Sequence, residues 1–86
     1  MIEVKNIDEP LPDYADILKQ HPDHPVVVLF KNYHPTRATI TEWVVWANNH
    51  GHNWYPRPVE YVNSDTLVLF TEAERDLAFH FKVRFV

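Results

Sequence analysis

The run Val26-Val27-Val28-Leu29-Phe30 places five apolar residues in a row directly after Pro25. A strand with one wet face alternates apolar and polar residues, so an unbroken run needs cover on both faces. It is short for a helix, and three consecutive valines, stiff at χ1, favour the pleated state. The run therefore reads as the central strand of a sheet. Leu67-Val68-Leu69-Phe70 is a second run of the same kind and should lie beside it. The material to cover both is present: 45% of the 86 residues are hydrophobic and 14% aromatic, which argues for one folded domain and against disorder.

The other elements follow from spacing and turn chemistry. Ile2 and Val4 flank Glu3 and permit a short strand. Leu11, Tyr14, Ala15 and Leu18 fall at helical spacing, and Pro12 suits a first turn, which predicts a short helix over 12–20. His21-Pro22-Asp23-His24-Pro25 ends it, since residues before proline are pushed out of the helical region. Thr39 and Glu42 have capping-box spacing, and Ile40, Trp43, Val44 and Ala47 form one apolar face. Gly51 stands where a helix end favours a left-handed residue. Val59-Glu60-Tyr61-Val62, turning at Asn63-Ser64-Asp65 into the second apolar run, reads as a hairpin. Thr71 and Glu74 repeat the capping spacing and predict a short acidic helix with Ala73 and Leu77 inward. Phe79, Phe81, Val83 and Phe85 then alternate with His80, Lys82 and Arg84, which predicts a final strand.

From residue 26 the expected order is strand, helix, strand, strand, helix, strand. This is an α+β, ferredoxin-like βαββαβ sandwich, a four-stranded antiparallel sheet with two helices on one face. Residues 1–25 form an N-terminal arm with a strand and helix extension, and residues 26–86 form the domain. That fold generally puts its first and third strands at the centre, where the two unbroken apolar runs fall. The closing stretch, from Phe70-Thr71-Glu72-Ala73-Glu74 to Phe81-Lys82-Val83-Arg84-Phe85, resembles small uncharacterised proteins of tailed phages and marine environmental sequences. The resemblance covers about the last fifth of the chain and implies a helix followed by an aromatic-rich strand, with no activity attached.

Several function classes are excluded or disfavoured. Without cysteine there is no disulfide, thiol nucleophile or cysteine-ligated zinc. One glycine against seven prolines rules out glycine-rich phosphate loops. The net charge of −4 gives no general pull toward nucleic acid or anionic membrane. No apolar run approaches the roughly 20 residues of a membrane span, and the first residues do not read as a signal peptide, so a cytoplasmic location is expected. Ser64 is the only serine and sits in a turn, where its hydroxyl most often serves the backbone, and no nucleophile-base-orienter set can be picked out. His21 and His24, like His50 and His52, lack a carboxylate at a ligand spacing, and read as solvated turns; no metal or cofactor is expected.

Two surfaces remain as candidates. Trp46, His50, His52, Trp54 and Tyr55 gather at the first long helix and its exit loop, and Trp and Tyr are frequent anchors of protein interfaces. The polar company of Asn48, Asn49 and Asn53 predicts that this loop is wet and offers a partner site. Its enzymatic alternative is a Trp- and His-lined pocket, as in dimeric ferredoxin-like proteins that resemble antibiotic-biosynthesis monooxygenases. His80, Lys82 and Arg84 would form a basic stripe on the last strand. RNA-binding domains of this fold stack bases on aromatic residues of the central strands, and those positions are aliphatic here. The second surface is the sheet face away from the helices. Alternation puts Val27 and Leu29 there, with Lys82 and Arg84 alongside, and a second copy should cover it unless the arm does. The sequence therefore predicts a non-enzymatic, homodimeric protein-interaction module.

Overall fold

The structure, a computed structural model, describes residues 3–4, 14–54 and 57–85. Strand β1 is Glu3–Val4, helix α1 is Ala15–Leu18, strand β2 is Val26–Lys31 and helix α2 is Arg37–Asn49. Strands β3 (Val59–Val62) and β4 (Asp65–Phe70) follow, then a 3₁₀ turn over Glu72–Glu74 that runs into helix α3, Arg75–Arg84. Ile2, Leu11 and Pro12, on which part of the arm's expected structure rested, lie outside the described residues.

The fold is α+β, with a three-stranded antiparallel sheet at its centre. β2 pairs with β4 in the register Val26↔Phe70 and Val28↔Val68, and β4 pairs with β3 through Val59↔Val68 and Val62↔Asp65. The order is β1-β2-β4-β3, with two-residue β1 extending the edge beside β2 through Glu3↔Lys31 and Val4↔Phe30. The two unbroken apolar runs are thus the inner strands, as their pattern requires. At the hairpin, Asn63 takes a φ of 54°, a left-handed conformation that asparagine tolerates better than most residues.

The expected ferredoxin-like sandwich is not formed, because residues 79–84 are helical. The apolar residues of this segment satisfy two periods. Phe79, Phe81, Val83 and Phe85 alternate, but Leu77, Ala78, Phe81 and Phe85 also fall on one helical face. Packing selects the second pattern. Phe81 sits against Phe30, Trp43, Trp46, Trp54, Phe70 and Phe85, with ring centroids 5.0 to 5.9 Å away. Leu77 and Ala78 join it in the core, while Phe79 and Val83 are left outside and Ala73, expected inward, is exposed. Thr71 and Glu74 form the reciprocal capping box, and neither glycine nor proline interrupts the chain from there to Phe85. The edge that the ferredoxin-like plan gives to its last strand is taken by β1.

The N-cap of α2 lies three residues before the expected one. Thr36 is its N-cap and accepts the Thr39 amide at 3.2 Å, so Pro35 rather than Thr39 marks the boundary. Its far end is a Schellman motif: the His52 amide reaches the Ala47 carbonyl, the Gly51 amide reaches Asn48, and Gly51 has φ +76°.

The sheet has a core on each face. Val26, Val28, Phe30, Val68 and Phe70 meet Trp43, Ala47, Trp54 and the buried face of α3. On the opposite face Val27, Leu29, Leu67 and Leu69 lie beneath Tyr14, with Leu18 packed against them. Alternation assigned these faces correctly, but the second face is not open. The arm covers it, through α1, which ends at Leu18, two residues before the predicted end at 20; residues 12 and 13 lie outside the described residues. A helix this short is marginal alone, so its tertiary contacts hold it. The Tyr14 hydroxyl donates to Asp65, which also accepts the Asn32 amide at 2.8 Å, and His21 Nε2 lies 2.7 Å from Glu60 Oε1. The hydrogen bond from Tyr14, and then that from the Asn32 amide, hold the Asp65 carboxyl below its ordinary pKa.

Candidate functional site

The aromatic cluster predicted from sequence divides into two places. Trp54 is 3% exposed and belongs to the core, where its ring lies 5.7 Å from both Trp43 and Phe81. The expectation that this tryptophan faces solvent is therefore corrected. Its loop is polar, but the ring is large enough to reach past the loop into the helix–sheet core. Tyr55 lies outside the described residues. His52 is half-buried, with Nδ1 3.9 Å from Glu74 Oε2.

That part of the loop is held by a buried ion pair. Arg57 stacks its guanidinium over Phe70 at 4.4 Å and lies 5.3 Å from the centre of the Trp54 ring. It donates to both oxygens of Glu74, at 2.9 and 2.6 Å. The same carboxylate accepts the Thr71 amide at 3.0 Å and so completes the cap of the last helix. Partial burial works to raise the Glu74 pKa, but the Arg57 hydrogen bonds, the Thr71 amide and the Arg57 charge outweigh it and hold it at about 2. A shallow pocket of about 390 Å³ lies over this pair, with His24, His52 and Thr71 in its walls. Because both Glu74 oxygens and the guanidinium ends are already engaged, the pair works as a brace between loop and helix. Sequence reasoning missed Arg57. Its setting between Pro56 and Pro58 carries no spacing that points to a partner 17 residues further on.

Trp46 and His50 lie elsewhere, on α2 where it runs beside α3. Their ring centroids lie 4.3 Å apart with the planes tilted by 34°, and His50 Nδ1, at the C-cap of α2, is 2.8 Å from the Trp46 carbonyl. Trp46 also meets Phe85 at 5.8 Å, so two half-buried aromatic rings floor a groove between the helices. The groove measures about 330 Å³, and Thr41, Glu42, Val45 and Asn49 of α2 face Arg84 across it. Val45 in its wall is 52% exposed, and Phe79 and Val83, outside it, are 55% and 65% exposed. Phe79 and Val83 are four apart on α3 and form one ridge opposite its buried face. Part of this surface was legible as Trp46 and His50. The contribution of α3 was not, because Phe79 and Val83 were assigned to a strand's buried side.

The remaining candidates do not assemble as expected. Val27 and Leu29 are buried beneath the arm, while Lys82 and Arg84 lie on α3, across the sheet from them. The four do not form a dimer face. His80, Lys82 and Arg84 are not a strand stripe either; on a helix, residues two apart point in different directions. Among the described residues no three His, Asp or Glu side chains come together as a metal site, and no helix is long and apolar enough to cross a membrane. No protein-family model, curated protein or solved structure matches the chain.

Proposed function

We propose that this chain is a protein-interaction module whose docking surface is the outer side of α2 and α3. The exposure of Val45 in the wall of an aromatic-floored groove, and of Phe79 and Val83 on the outer side of α3, carries this reading. Single exposed apolar side chains are ordinary, but a ridge of two on a helix whose end also walls a groove with an aromatic floor is the makeup of an interface. Trp46 and Phe85 supply rigid contact area, and the polar residues on the walls form a rim. The surface is also separable from the fold, since Val83 contributes almost nothing to the core that Phe81 organises.

Tagged wild-type chain and a Val83→Glu variant, each shown to be folded by circular dichroism, would be used for capture from the native source with untagged chain present. The wild type should retain a partner, which includes an untagged copy of itself, that the variant releases. Equal retention by both would show that the helical surface is not where partners bind.

A further inference from the structure

The groove between α2 and α3 carries an unpaired charge of each sign, Glu42 on one wall and Arg84 on the other. Among the described residues Glu42 has no hydrogen-bond or ion-pair partner, and Arg84 makes only a cation–π contact with Phe85, 5.0 Å from the ring centre. Both are exposed, and they line one groove without closing on each other. A two-fold axis over this groove would place Arg84 of each copy against Glu42 of the other, making two equivalent ion pairs from one surface. A surface that holds both members of a charge pair is complementary to itself in charge.

We infer that the partner of this surface is a second copy of the chain, joined through a two-fold interface in which Glu42 and Arg84 pair reciprocally between copies. The inference rests on the docking reading above and names the occupant of that same groove.

The test uses the charge-reversed variants Glu42→Arg and Arg84→Glu, singly and combined, in sedimentation equilibrium. Both positions are exposed, so folding should survive, and circular dichroism would confirm it. The wild type should dimerise, and each single variant should do so roughly a hundredfold more weakly, because like charges then face each other twice. The double variant should recover. An equimolar mixture of the two single variants should form a heterodimer, since every charge in it again meets its opposite. A monomeric wild type, single variants that dimerise normally, or a mixture that stays monomeric would each overturn the inference. If a monomeric wild type still shows capture that Val83→Glu abolishes, the self-pairing alone has failed and the docking surface stands. Loss of both would remove the two readings together.

Discussion

At the scale of single residues, Arg57 and Phe81 do the joining. Phe81 gives α3 its reason to be a helix, and Arg57 ties the loop after α2 to the start of that helix. The Arg57 side chain is 2% exposed and its Glu74 partner 18%, so removing the arginine strands a largely buried carboxylate. Arg57→Met should cost on the order of 3–5 kcal/mol, the usual loss when one half of a buried pair is deleted. The pH dependence has a definite sign. Glu74 is held at about 2 in the folded chain against an ordinary 4.5. Between those values the unfolded chain binds the extra proton, so the pair's contribution is complete above about 4.5 and declines as pH falls toward 2. Urea midpoints measured from pH 2 to 6 should rise with pH in wild type and rise less in Arg57→Met. Parallel profiles would mean that the pair does not set the Glu74 pKa.

At the scale of elements, α3 is the decisive one. Its exposed side can be tested without disturbing the core, because His80 faces water outside the groove. Alanine is the better helix former by roughly 0.5 kcal/mol, and a poor strand former. His80→Ala should therefore raise the unfolding free energy by a few tenths of a kcal/mol. A fall instead would support the strand that alternation suggests. The arm shows the opposite balance. Its helix is a single turn, and two side-chain hydrogen bonds with two apolar anchors, Tyr14 and Leu18, fasten it to the sheet.

At the scale of the molecule, the arm decides which surfaces are available to partners. With Val27 and Leu29 under Tyr14 and Leu18, both sheet faces are covered within one chain, and the helical side remains for assembly. Leu29→Lys should then behave like Val28→Lys. Each loses about 1.5–3 kcal/mol of apolar burial and places an ammonium where it has no partner. Both should lack the cooperative thermal transition of the wild type in near-ultraviolet circular dichroism. A well-folded Leu29→Lys would show that the arm does not seal that face.

Much of this architecture was legible in the sequence because local chemistry and pattern have one solution there. An unbroken Val26–Phe30 run can only be an inner strand, Gly51 marks a helix end by its backbone freedom, and Thr71 with Glu74 opens a helix. Alternation also sorted Val27 and Leu29 from Val26, Val28 and Phe30. The tertiary structure decided the rest, where a pattern had two solutions of similar local merit. The stretch from Leu77 to Phe85 fits a strand or a helix, and the ring cluster around Phe81 selects the helix by burying Leu77 and Ala78 with it. Trp54 could have been a wet anchor, and its reach into that cluster makes it core. The arm could have hung free, and Tyr14 and His21 reach Asp65 and Glu60, remote in sequence, to hold it down. Each of these outcomes depends on burial against residues far along the chain, which no local spacing records.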